Sequence, residues 1–215
     1  MGEIVLVRHG QANSHATTEE DYDRLSPLGH RQAERLGAWL EARGERFDRV
    51  ISGTLRRHRE TAAAMGHTGP ETDARLNEMD YFNLGEALRR TKGVPMPPDA
   101  DGFAAHMPQV MRAWHDAEIQ GNESFASFET RITGALIDAA EEGRRVLCVT
   151  SGGVIGMVMR HILDLDPHRL SMVLLPILNT SVHRIHVRGP QMILGSFNAV
   201  PHLDAPDLMA ERTHF

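Results

Sequence analysis

The chain has 215 residues, enough for one compact domain with a sizeable core, and 41% hydrophobic with 24% charged residues is ordinary globular composition. No apolar run reaches the roughly 18 residues of a membrane span. A formal net charge of -6 excludes the broad basic face of a general nucleic-acid binder, so any anion has to be drawn into a local pocket.

In chain order, Glu3-Ile4-Val5-Leu6-Val7-Arg8 reads as a buried strand. A polar loop follows, in which Thr17 to Asp21 is expected to be solvated. Ser26-Pro27 then opens a helix, with serine as N-cap and proline in the first turn. Its Ala33, Leu36, Gly37 and Leu40 recur at helical spacing, and Gly44 ends it. A second strand, Arg49 to Ser52, leads into a helix from about Leu55 to Met65. Between Asp80 and Asn122 the pattern changes, because Val94-Pro95-Met96-Pro97-Pro98 separates one helical segment from another carrying Phe103, Met107, Val110, Met111 and Trp114. This insertion, about 80–122, offers too little apolar surface for a core of its own and is expected to cap the sheet. A helix after Ser124 carries Phe125, Phe128, Ile132, Leu136, Ile137 and Ala140 on one face, with Gly143 as its stop. Arg145 to Thr150 is the most continuously apolar strand, and Gly152-Gly153 open the next helix. Two strands, about Ser181 to Val187 and Met192 to Phe197, close the sheet. The alternation predicts a single domain of the α/β class, a three-layer α/β/α fold with a mostly parallel central sheet.

In such sheets ligands bind beyond the carboxyl ends of the strands, where Arg8-His9-Gly10 and Ser151-Gly152-Gly153 both fall. A phosphoryl group needs its oxygens neutralised and an in-line attacker, and the planar guanidinium of Arg8 suits the first task. Gly10 is expected to let the backbone approach the anion, and the amides after Gly152 to point partial positive charge at it. A neutral imidazole at His9 is then the candidate nucleophile, forming a phosphohistidine. By the residues alone Arg57 is not distinguished from its neighbours Arg56 and Arg59, Glu78 reads equally as a surface acid, and Ser151 equally as a helix N-cap.

The thirteen histidines show no His-x-His, HExxH or paired cysteine, so no metal and no cofactor is called; His183 and His186, three apart in a strand, point to opposite faces. Cys148 lies in an apolar run and is expected to pack as a small hydrophobe. With no signal-like or lipidation pattern at the N-terminus, the expectation is a soluble cytoplasmic protein.

Taken together the blocks resemble the histidine phosphatase, or phosphoglycerate mutase-like, superfamily. Those blocks are Leu6-Val7-Arg8-His9-Gly10-Gln11, Leu25-Ser26-Pro27-Leu28-Gly29 with Gln32-Ala33, Ser52 through Ala62, Leu76-Asn77-Glu78, Ser151-Gly152-Gly153-Val154-Ile155 and Asn179-Thr180-Ser181-Val182. The resemblance runs over nearly the whole chain. It implies His9 as the phosphorylated nucleophile, Arg8 and Arg57 as phosphate ligands, and Glu78 as proton donor to the leaving oxygen. Arg57 matches because it stands four residues before Thr61. The chain departs from the family at Ser151, where relatives carry a second histidine that donates to the phosphoryl oxygens. Loss of such a donor costs about 100- to 1,000-fold in rate. Asn13-Ser14-His15 also departs from the mutase pattern. His15 and His202 are auxiliary candidates for the missing imidazole, with a plain surface role as the alternative for each.

The expected activity is metal-independent hydrolysis of a small phosphorylated metabolite. The alternatives are a phosphomutase, or a phosphate-binding protein that has lost turnover because of Ser151. No nucleic-acid or membrane partner is expected. A second copy of the chain is a candidate partner through a late-strand edge such as Ser181 to Val187.

Overall fold

A computed structural model describes residues 1–214. Its centre is a six-stranded sheet in the order β3-β2-β4-β1-β5-β6, built from β1 (Gly2–Arg8), β2 (Arg49–Ser52), β3 (Glu71–Thr72), β4 (Arg145–Thr150), β5 (Val182–Arg188) and β6 (Gln191–Ala199). The first four are mutually parallel, whereas β5 runs antiparallel to β1 and forms a hairpin with β6. The predicted α/β architecture with a mostly parallel sheet is therefore what the chain adopts. Ser181 to Val187 is not an edge, because β5 lies between β1 and β6; the outer strands are β3 and β6.

Alternation along β1 assigns its side chains to two cores. Val5 and Val7 pack with Ala33, Leu36, Leu40 and Ala62 under α2 (Pro27–Ala42) and α3 (Arg56–Ala64). Ile4 and Leu6 face the larger core on the opposite side, shared by α4 (Tyr81–Lys92), α5 (Ala100–His115), α6 (Phe125–Ala139), α7 (Gly152–Leu163) and α8 (Pro167–Leu174). Cys148 belongs to this core, and burial pushes its thiol up to about 12, so it packs as the sequence suggests. The helix starts are chemically marked: Ser26 accepts from Gly29 N–H and Ser124 from Ser127 N–H.

The segment from 80 to 122 forms α4 and α5, separated by the proline-rich stretch, with Gly93 in the left-handed region ending α4. Aromatic residues Tyr81 and Phe103 stack edge to face at 4.9 Å where these helices meet. Two helices were not apparent in the sequence. One is α8; the other is α1 (Glu19–Tyr22), in the stretch expected to be a solvated loop. Thr18 caps it by accepting from Asp21 N–H. Among the described residues no helix is long and apolar enough to cross a membrane.

One close approach fixes the entrance to the site. A Cβ on Gly10 would stand 2.4 Å from the Gly29 carbonyl oxygen, so the loop after β1 rests directly on the first turn of α2. Gly10→Ala is accordingly expected to cost about 3 kcal/mol or more of stability. Urea unfolding of the variant checks this, and a loss below about 1 kcal/mol would show that the contact yields.

Candidate active site

The register of β1 on β4 pairs Arg8 with Thr150, which sets His9 beside Ser151 at the carboxyl ends of adjacent strands. His9 N–H donates to the Thr150 carbonyl at 2.8 Å. The turn at 179–181 holds the nucleophile candidate from the other side, with Asn179 Nδ2 donating to the His9 carbonyl at 3.1 Å and Thr180 N–H to the Arg8 carbonyl at 3.1 Å. Three backbone-directed bonds of this kind leave the main chain at residue 9 little freedom.

The imidazole itself is buried, and its Nδ1 lies 2.8 Å from the Gly10 carbonyl oxygen. A carbonyl can only accept, so Nδ1 carries the proton and Nε2 the lone pair. Burial, then the positive fields of Arg57 and Arg8, hold this ring well below the usual histidine range. The base is therefore neutral at physiological pH, the form that can attack phosphorus.

A cavity of about 940 Å³ opens over His9. Its polar floor includes Arg8, Arg57, Glu78 and Gly152. Arg8 donates Nη1–H to the Ile177 carbonyl, while its Nε has no partner. Arg57 is fully buried; its Nη1 meets Glu19 at 2.6 Å and Asp23 at 3.2 Å, whereas Nε and Nη2 are unpartnered. Buried guanidinium donors without an acceptor are costly. Three of them sit on the arginines that flank one imidazole, and they are the kind of donor that pairs with an oxyanion. Asp23 also accepts from the N–H groups of Arg56 and Arg57, and so caps α3, whose own N-cap, Leu55, has no side chain to do it. Glu78 lies across the cavity, accepting from Gly153 N–H at 2.8 Å and Met79 N–H at 3.0 Å.

The sequence-chosen residues divide accordingly. Arg8, His9, Arg57, Glu78 and Gly152 converge on the cavity, and His15 lies on its wall. Gly10 does not line it: its N–H is used by Thr61 Oγ1 at 3.0 Å, and its lack of a side chain serves the contact with Gly29. His202 is held at Thr180, 2.8 Å from Nε2 to Oγ1, away from the cavity; the tail returns to it instead through Thr213 and His214. Of the amides that open α7, Gly153 N–H is already used by Glu78. Ser151 is fully buried, does not line the cavity, and occupies the N-cap position of α7 without making a cap bond. Its hydroxyl meets His58 instead, at 2.6 Å.

Sequence reasoning missed Glu19, Asp23 and His58. The acidic run 19–23 carries no periodicity, and His58 stands among charged residues on a helix that reads as solvated. Glu19 occupies an Arg57 donor that an anion would otherwise take; burial raises its pKa while Arg57 pulls against that rise. Glu19→Gln is expected to tighten inorganic phosphate binding roughly 3- to 10-fold by removing one nearby negative charge. Isothermal titration would show it, and weaker binding in the variant would mean that Glu19 serves mainly to orient Arg57.

Comparison with known proteins agrees with this geometry. The family described as "Histidine phosphatase superfamily (branch 1)" matches residues 4–200. The chain is 29% identical over 195 residues to a broad-specificity phosphatase of Saccharomyces cerevisiae, covering 83% of this chain and 76% of that one. It is 28% identical over 162 residues to a 2,3-bisphosphoglycerate-dependent phosphoglycerate mutase of Methylorubrum populi, covering 69% and 73%. Among solved structures, a phosphoserine phosphatase mutant of Entamoeba histolytica bound to phosphoserine superposes with a TM-score of 0.70 at 20% identity, covering 94% of this chain and all of that one. With a match spanning nearly its full length, the chain belongs to the histidine phosphatase superfamily, branch 1.

Proposed function

We propose that this protein is a metal-independent phosphomonoester hydrolase that works through a phosphohistidine at His9. The observation that carries the reading is the set of unpartnered guanidinium donors of Arg8 and Arg57 beside a neutral imidazole whose Nε2 bears the lone pair. In this mechanism Arg8 and Arg57 hold the phosphoryl oxygens and His9 Nε2 forms the N–P bond as the ester P–O bond breaks. The carboxyl of Glu78 gives its proton to the departing alkoxide. Water then attacks phosphorus, Glu78 recovers a proton from it, the N–P bond breaks, and inorganic phosphate leaves.

The leaving group is proposed to be small and largely apolar or aromatic. Phe82, Met96, Pro97, Phe103, Met107 and Leu174 line the same cavity, an apolar surface that gains by covering a ring or an alkyl chain. The insertion from 80 to 122 supplies most of that surface and so acts as the specificity-setting cap.

The test is hydrolysis of an aryl phosphate and of a panel of phosphorylated metabolites, with and without EDTA, alongside acid-quench trapping of labelled protein. Expected are EDTA-resistant turnover, faster on aryl than on sugar phosphates, and a protein-bound phosphate that is acid-labile and base-stable. Phosphate binding without turnover on any substrate would favour a binding protein; transfer to an acceptor faster than to water would favour a mutase.

A further inference from the structure

Ser151 and His58 come from different elements of the fold and meet beside His9. His58, in the first turn of α3, is fully buried, with Nε2 2.6 Å from Ser151 Oγ. Its ring centroid lies 5.7 Å from that of His9, with the planes tilted by 35°. The ring also rests on Gly53, where a Cβ would come 2.1 Å from Nδ1, so that position has room for the imidazole only while residue 53 is glycine. A buried imidazole held this tightly beside another is not explained by packing alone, because an apolar side chain would fill the space without burying two ring nitrogens.

We propose that His58 is a positioning residue for phosphoryl transfer: acting through Ser151 and beside the ring of His9, it supplies from α3 the second imidazole that the family resemblance implies at the start of α7. The proposal rests on the phosphohistidine reading above. Its chemistry follows from hydrogen-bond accounting. Nδ1 of His58 is buried and has no partner. A buried N–H without an acceptor is the costlier alternative to an idle lone pair, so the proton sits on Nε2. Nε2–H then donates to Ser151 Oγ, and the hydroxyl proton, used by neither His58 nor α7, is left to turn to a phosphoryl oxygen on His9. Donation into the hydroxyl oxygen polarises its O–H and makes it a stronger donor. No proton is transferred, and the imidazole stays neutral under burial and the field of Arg57. The serine is thus one half of a paired donor, and the rate penalty expected of an isolated serine does not apply.

Steady-state kinetics on an aryl phosphate with Ser151→Ala, His58→Leu, the double variant and His58→Gln, each with its melting temperature, test this directly. Ser151→Ala and His58→Leu are each expected to lower kcat about 10- to 100-fold with KM within about 2-fold, since the donor acts on charge that develops during transfer. The double variant should be no slower than the worse single one, and His58→Gln, whose amide can donate where Nε2–H does, should recover most of the loss. Wild-type kcat in His58→Leu, or single effects that multiply in the double variant, would overturn the assignment, whatever the melting temperatures. Nitrogen-15 spectroscopy of the wild-type imidazoles decides the matter without turnover. The expected result is His58 protonated at Nε2, with a resonance that moves on adding vanadate; an Nδ1–H tautomer or an unresponsive ring overturns it. A wild type with no activity and no trapped phosphate would count against the hydrolase, whereas these spectra judge His58 by itself.

Discussion

His9→Ala is expected to lower kcat/KM by about 10⁴-fold or more while leaving phosphate binding largely intact. The two halves of that expectation have separate structural causes. The lone pair proposed to form the bond is on Nε2, since Nδ1 is committed to the Gly10 carbonyl. Guanidinium groups keep their protons at every working pH and cannot attack. Binding, in contrast, is expected to depend on Arg8 and Arg57, whose partners are Ile177, Glu19 and Asp23 rather than His9. Paired measurements of hydrolysis and of vanadate-induced thermal stabilisation distinguish the two. Turnover within about 10-fold of wild type would exclude His9 as nucleophile, and lost binding would show that the imidazole helps hold the anion.

Acid is expected to destabilise the fold well above the pH at which carboxylates titrate. Burial holds His183 down to about 3 and His202 down to about 4, with Arg8 adding to the first effect and Arg212 to the second. Their unfolded-state value is about 6.5. Between that value and the folded ones the unfolded chain binds a proton at each site and the folded chain does not, so stability rises with pH across this window. It is fully present above about pH 6.5 and is lost as pH falls towards 4 and 3. By pH 5 each histidine removes about 2 kcal/mol, roughly 4 kcal/mol together. His9 and His58, also held low, act in the same direction. Urea titrations at pH 7.5 and pH 5 in phosphate-free buffer measure the difference, because bound phosphate would add its own stabilisation. His202→Gln, which can still reach Thr180, should shrink the difference by about 2 kcal/mol. Equal stability at the two pH values would refute the argument.

The affinity expected of Glu19→Gln and the kinetics expected of His58 share a structural origin: both residues touch the site through a partner rather than through the substrate. That is also why neither was legible in the sequence. Glu19 belongs to a run of acids with no periodic pattern, and it matters only because Thr18 caps a single helical turn that carries it to Arg57. His58 lies between Arg57 and Arg59, and nothing in that order of residues says that α3 turns the imidazole inward to Ser151, 93 positions away along the chain.

What the sequence determined by itself is what depends on local chemistry and on short-range periodicity. Apolar runs marked β1 and β4, Ser26-Pro27 and Ser124 marked helix starts, and Arg8-His9 at a strand end marked a candidate anion site at the floor of the cavity. These signals survive because strand burial, capping and turn formation each involve only a few neighbouring residues. Tertiary structure decided the rest. Gly10 reads as a ligand-approach glycine but is required by the carbonyl of Gly29, and His202 reads as a spare imidazole but is tied to Thr180. Ser151 reads as a loss, and its hydroxyl meets His58. In each case the deciding contact spans from about twenty to more than ninety positions of chain, and such a contact exists only once the register of β1 on β4 and the packing of α2 and α3 have brought its two ends together.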